Sequence, residues 1–168
     1  DHDPIKVELA KKFGIEAYNS SGNLDQVQTV LNSTNNLGTD FVIITASSES
    51  NEIISNSAKM SRKRGRIILV GVTGLDINRS DFYEKELTFQ VSCSYGPGRY
   101  DDNYELNGND YPIGYVRWTE KRNFESILFA INEGKLDVKS LISEIIPLSD
   151  YDKIYSNIST SKSIASII

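Results

Sequence analysis

Two short runs of branched apolar residues constrain this chain more than anything else in it. Asp40-Phe-Val-Ile-Ile-Thr45 and Arg66-Ile-Ile-Leu-Val-Gly71 are continuous rather than alternating, the pattern of strands covered on both faces. Between them the spacing of Ile54, Ala58 and Ser61 predicts a helix that reaches about Arg62. Strand, helix and strand joined by a right-handed crossover give a parallel sheet with helices on its faces. A third strand is expected over Leu87–Ser92. The fold class is therefore α/β.

The flanks carry helix punctuation. Asp3 suits a cap, Pro4 the first helical turn, and Gly14 the position past the end, which predicts a helix up to Phe13. A short strand is expected at Glu16-Ala-Tyr18. A second helix, capped by Asn23 or Ser21, would hold Leu24, Val27, Val30 and Leu31. The basic run Arg62-Lys-Arg64 reads as the solvated C-terminus of the third helix, with Gly65 as its stop. Further on, a helix is expected over Asn123–Glu133, a strand over Leu141–Ile146, a short helix capped by Ser149, and a last strand over Ile164–Ile168.

Residues 96–122 break this pattern. The stretch is turn-rich, with Pro97, Gly98, Gly108, Pro112 and Gly114, yet it holds Tyr100, Tyr104, Tyr111, Tyr115 and Trp118. Disordered segments are poor in aromatics, so an ordered, functional loop is expected. The organisation reads as 1–95, the latter part of a nucleotide-binding domain, then 96–122, then 123–168, which completes the domain or returns toward a catalytic domain.

Composition narrows the partners. A length of 168 residues fits one domain or one and a half. A net charge of −5 speaks against a nucleic-acid surface. The single Cys93 forms no internal disulfide. No apolar run approaches the roughly 20 residues of a membrane helix, and no signal peptide is visible. The first residue is Asp rather than Met. The expectation is a cytoplasmic protein, not associated with a membrane, and a piece of a longer one.

No zinc site can be assembled from His2 and Cys93 alone, and neither a P-loop nor a G-x-S-x-G turn is present. What remains is position. In an open parallel sheet, ligands sit outside the carboxyl ends of the strands. That rule singles out Thr45-Ala-Ser47, Gly71-Val-Thr73 and Ser92–Tyr95, all rich in small or hydroxyl-bearing residues. Such residues also end strands that bind nothing.

Asp1-His-Asp-Pro-Ile-Lys6, Ala10-Lys-Lys-Phe-Gly14 and Arg62-Lys-Arg-Gly-Arg-Ile-Ile-Leu-Val-Gly-Val72 resemble the nucleotide-binding domain of medium-chain dehydrogenases of the zinc-type alcohol dehydrogenase superfamily. Lys85-Glu-Leu87, Ser94–Asp101, Asp110–Asn123 and Gly134-Lys-Leu-Asp-Val138 are more specific. They resemble the dehydrogenase half of bacterial bi-domain oxidoreductases. The resemblance implies a partial Rossmann-type sheet with helices on both faces, its first βαβ unit missing, and NAD as cofactor in the parent protein. It places Asp1 at the adenosine ribose hydroxyls, with Lys6 nearby. Thr45, Ala46 and Ser47 would border the cofactor. Gly71, Val72 and Thr73 would meet the nicotinamide, with Ser94 and Tyr95 near its end. No metal is expected from this segment and no catalytic residue is identified.

Arg99, Arg117 and Arg122 could clamp an anionic substrate or pair structurally with Asp101, Asp110 and Glu120. The implied chemistry is hydride transfer with an alcohol, of sugar type in surface-polysaccharide synthesis. A homodimer through an exposed sheet edge is expected. Two alternatives stay open: a cofactor-free domain used for assembly, and another nucleotide-using Rossmann enzyme.

Overall fold

The computed structural model describes residues 1–158 and 163–168; residues 159–162, inside the expected 123–168 segment, lie outside the described residues. The chain divides into two compact units, Asp1–Ser94 and Tyr95–Ile168.

The first unit is built on three parallel strands, β1 (Thr39–Ile44), β2 (Ser61–Leu69) and β3 (Thr88–Val91), in the order β1-β2-β3. Val42 lies opposite Ile67, and Leu69 opposite Val91. Helix α3 (Glu52–Met60) crosses from β1 to β2 and packs on both. Its Ile54 and Ala58 close the core over Ile44, Ile67 and Leu69. Each of the Ile and Leu side chains contributes about 1.5–3 kcal/mol on full burial.

The opposite face of β1 is uncovered. Phe41 and Ile43 are 63% and 65% exposed, so this strand is covered on one face, not two as its unbroken apolar run suggested. The packing partner α3 lies on the Val42–Ile44 side only.

Helix α1 (Pro4–Lys12) begins as expected. The Asp3 carboxylate accepts from the Ile5 amide at 2.8 Å, and Gly14 follows the helix at φ 75°. Helix α2 (Gln26–Ser33) starts later than expected. Its cap is Asp25, which accepts from the Gln28 amide at 2.9 Å, rather than Asn23 or Ser21, so Leu24 precedes the helix. Glu16-Ala-Tyr18 is not a strand. A strand needs a neighbouring ladder, and only Asp1 supplies one rung: its amino group donates to the Tyr18 carbonyl at 3.1 Å, and its carbonyl accepts from Ser20 at 2.9 Å.

The basic run is also placed differently. Helix α3 stops at Met60, and Arg62-Lys-Arg64 with Gly65 belongs to β2. The carbonyls at the helix end are satisfied by Lys85, whose ammonium donates to Ala58, Lys59 and Ser61 at 3.0, 2.7 and 2.8 Å. Gly38 permits the tight turn against this helix end. A Cβ there would stand 2.7 Å from the Met60 carbonyl and the Arg62 amide. A short helix, α4 (Arg79–Tyr83), capped by Asn78, precedes β3.

In the second unit, α5 (Asp102–Glu105) is a single turn inside the aromatic stretch, and α6 (Glu120–Asn132) is the principal helix, beginning one turn before the expected Asn123. Strands β4 (Ile142–Ile145) and β5 (Ala165–Ile167) pair in parallel. Between them lies α7 (Tyr151–Tyr155), with Asp150 rather than Ser149 at its start.

Candidate functional site

The register of the three strands brings their carboxyl ends level. Ile44 lies opposite Leu69 and Leu69 opposite Val91. Past these residues the chain keeps pairing instead of diverging. The Val70 and Gly71 amides both donate to the Ile44 carbonyl at 2.9 Å. Val72 then donates to Ala46 at 3.0 Å, and Ser48 donates back to Val72 at 2.8 Å, forming a bridge between Ser47 and Val72. Ser92 donates to Leu69 at 2.8 Å on the other side.

Gly71 makes this approach possible. A Cβ at that position would stand 2.1 Å from the Ala46 carbonyl oxygen. Two segments singled out by the strand-end rule, Thr45-Ala-Ser47 and Gly71-Val-Thr73, therefore lie side by side. Thr73 is part-buried, and its Oγ1 is shielded from solvent with no partner among the described residues. Such a group is a ready donor or acceptor for a ligand.

Asp1 and Lys6 form a second grouping. Both line an open cleft of about 430 Å³ that also meets Val7, Ala10, Tyr18 and Met60. The Asp1 carboxylate accepts from the Asp3 amide at 2.8 Å, which fixes its direction and leaves acceptor capacity for hydroxyl groups. Among the described residues no hydrogen bond links Asp1 or Lys6 to the strand-end segments. The structure unites each grouping internally and does not join the two.

Ser94 ends the first unit at φ 38°. Tyr95 opens the second, where its ring lies 5.3 Å from Phe124 and its carbonyl accepts from the Asn123 amide group at 2.8 Å.

The aromatic stretch is held by its own side chains. Tyr104 stacks on Tyr111 at 5.4 Å, and its hydroxyl accepts from the Lys121 amide at 3.0 Å. The Tyr111 hydroxyl donates to Asp101, which also caps α5. Arg122 donates to Asp110 at 2.8 Å and to the Tyr111 carbonyl at 2.7 Å. It is a structural pair, as one of the two readings had it. Arg99 pairs with Glu105, not with Asp101, because Tyr111 occupies that carboxylate. Arg117 lies over the Trp118 ring at 5.3 Å.

The Tyr111 hydroxyl holds the Asp101 carboxyl below the usual carboxylate range, and Asp101 pushes the Tyr111 phenol up. The signs follow from linkage. The Asp101 contribution is full above about pH 4 and is lost as pH falls through its lowered folded value. The Tyr111 contribution is full below about pH 10 and is lost as pH rises through its raised value. Tyr111→Phe is expected to flatten both limbs of a stability–pH profile followed by thermal melting. Limbs equal to wild type would show that the pair carries no such dependence.

Sequence reasoning gave Asn51 no role and named Lys85 only within the resembling run Lys85-Glu-Leu87. Asn51 precedes a helix and reads as an ordinary cap, and Lys85 acts across more than twenty residues, beyond any local pattern. Among the described residues no three of His, Cys, Asp and Glu gather as a metal-binding group. The donor set of the described residues does not fit zinc.

Residues 1–107 match the family model described as zinc-binding dehydrogenase. No curated protein sequence matches the chain. Among solved structures, alcohol dehydrogenase TADH from Thermus sp. ATN1 is similar at 20% identity and a TM-score of 0.70, over 99% of this chain and 41% of that one. The 2R,3R-butanediol dehydrogenase from Bacillus subtilis is similar at 17% identity and 0.70, over 97% and 40%. A short chain alcohol dehydrogenase from E. coli CFT073, solved with the cofactor NADH, is similar at 14% identity and 0.68, over 99% and 41%. At these identities the likeness establishes the fold. The chain spans about two fifths of the length of these structures.

Proposed function

The chain belongs to the zinc-binding dehydrogenase family, and from that premise we propose that it is part of an NAD-dependent oxidoreductase whose cofactor lies across the carboxyl ends of β1, β2 and β3. The observation that carries this reading is the ladder running past the strand ends. It sets Thr45, Ala46 and Ser47 beside Gly71, Val72 and Thr73, with the Thr73 hydroxyl left without a partner among the described residues.

When bound, the nicotinamide supplies hydride transfer to or from a carbon bearing an alcohol. The chain's own residues bind and orient it. The Asp1 carboxylate accepts hydrogen bonds from the adenosine ribose hydroxyls and repels a 2′-phosphate, which favours NAD(H) over NADP(H). Lys6 lies in the same cleft. Backbone groups of Gly71–Thr73 would hold the carboxamide end, and Ser94 follows β3 in the same unit.

The substrate in this reading is an alcohol of sugar type, and 123–168 returns toward a catalytic domain. Strands β1 and β3 are the outer strands of the first unit's sheet among the described residues, and in this reading an outer strand offers a place for a second copy of the chain. The Gly-rich turn that receives a pyrophosphate is not among these residues, so the 168-residue chain alone is expected to bind NAD weakly or not at all.

The test is a nicotinamide-fluorescence titration of the longer polypeptide with NADH and NADPH. Saturable binding that prefers NADH, with the preference lost in Asp1→Ala, is expected. A preference unchanged by Asp1→Ala would remove that carboxylate from the site. Binding of neither cofactor would favour the assembly-domain reading, for which the exposed Tyr100, Tyr115 and Trp118 are suitable anchors.

A further inference from the structure

We infer that Asn51 is a positioning residue for the nicotinamide end of the cofactor site, holding the loop after β2 through its side-chain carbonyl; the inference rests on the cofactor reading above. An asparagine just before a helix ordinarily accepts a bond from the second or third helical amide. Asn51 precedes α3 and makes no such bond. Ser50 Oγ accepts from the Glu52 amide instead, at 3.2 Å.

The Asn51 Oδ1 is thereby free to reach across to the neighbouring loop, where it accepts from the Asp76 amide at 3.0 Å. Gly74 is pressed against the same atom. A Cβ on Gly74 would stand 2.1 Å from Asn51 Oδ1 and 2.7 Å from the Glu49 carbonyl.

The loop from Val72 to Asp76 is therefore tied at both ends to the segment that follows β1. One tie is the backbone bridge, with Val72 donating to Ala46 and accepting from Ser48. The other is the single bond to Asn51. Thr73, whose shielded hydroxyl has no partner among the described residues, lies between the two ties. Backbone pairing fixes the first tie whatever the side chains are; among the described residues the second depends on the Asn51 side chain. Loss of Asn51 would leave the loop without a tie between Val72 and α4, where Asp81 accepts from the Ser55 hydroxyl at 2.7 Å, at the place where this reading puts the carboxamide.

The experiment compares NADH with ADP-ribose, which lacks the nicotinamide, on the longer polypeptide. Calorimetric titrations are made for wild type, Asn51→Ala and Gly74→Ala, the last breaking the same contact from the other side. The NADH Kd is expected to rise roughly fivefold to tenfold in both variants, the size of one hydrogen bond. The ADP-ribose Kd is expected to change by less than about twofold, since the adenosine end shares no partner with Asn51.

An unchanged NADH Kd overturns the inference, and so does an equal loss for both ligands, which marks a general structural role. If Asn51→Ala fails to fold, Gly74→Ala decides by the same criteria. A wild type that binds neither ligand overturns the cofactor reading and this inference together, whereas a binding wild type with unaltered variants overturns the inference alone.

Discussion

Gly71→Ala is expected to destabilise the fold by about 2–3 kcal/mol, as overpacking does, and to abolish saturable NADH binding by the longer polypeptide. The added methyl would meet backbone, not a side chain that can swing away: the Ala46 carbonyl oxygen at 2.1 Å, the Thr45 carbonyl carbon at 2.8 Å and the Ala46 carbonyl carbon at 2.9 Å. Relief requires the two strand ends to separate. That breaks the bonds from Gly71 to Ile44 and from Val72 to Ala46 and moves Thr73 away from Ser47. Gly22 provides the control, because nothing lies within 4 Å of a Cβ there; alanine at Gly22 is expected to shift stability by less than about 0.5 kcal/mol. Urea midpoints followed by circular dichroism, with NADH titrations beside them, decide. A Gly71→Ala variant with wild-type midpoint and affinity would mean that the strand ends do not approach as described.

Ile67→Ala is the second large effect, a loss of about 2–5 kcal/mol from a large-to-small change in a packed core. Ile67 is 0% exposed, in the middle strand, with Ile54, Ala58 and Leu69 around it. Phe41, on the adjoining strand, is the larger residue and by type alone the better candidate for a core. It is nevertheless 63% exposed, so Phe41→Ala in this chain is expected to cost less than about 1 kcal/mol. Unfolding both variants of the 168-residue chain in urea compares the two faces of the sheet. Equal losses would show that the Phe41 face is covered too.

That contrast marks where the sequence could be read and where it could not. Strands β1 and β2 were legible because branched apolar runs have few other uses, and the crossover rule then fixed their parallel order. Which face of β1 is covered was not legible, since an unbroken run has no polar side to reveal an exposed one. The start of α1 was legible because Asp3 and Pro4 act on their immediate neighbours. The end of α3 was not. Arg62-Lys-Arg64 offered a local explanation for charge near a helix C-terminus, while the group that satisfies those carbonyls is Lys85, brought there by the fold. Glu16–Tyr18 failed as a strand for a related reason: its local composition cannot supply the ladder beside it.

The candidate site divides in the same way. Strand ends can be located once strands are located, so Thr45–Ser47 and Gly71–Thr73 were accessible to a general rule about open parallel sheets. The Asp1 and Lys6 roles came from resemblance, and the structure places both in one cleft without joining that cleft to the strand ends by any hydrogen bond among the described residues. Asn51 carried no signal, because a helix cap and a cross-loop latch look identical in sequence.

The most direct measurement is a crystal structure of the longer polypeptide with NADH. The dihydronicotinamide carboxamide is expected against the backbone of Gly71–Thr73, and the adenosine ribose hydroxyls at the Asp1 carboxylate. NADH bound away from the ends of β1 and β2, or with its ribose distant from Asp1, would contradict that placement.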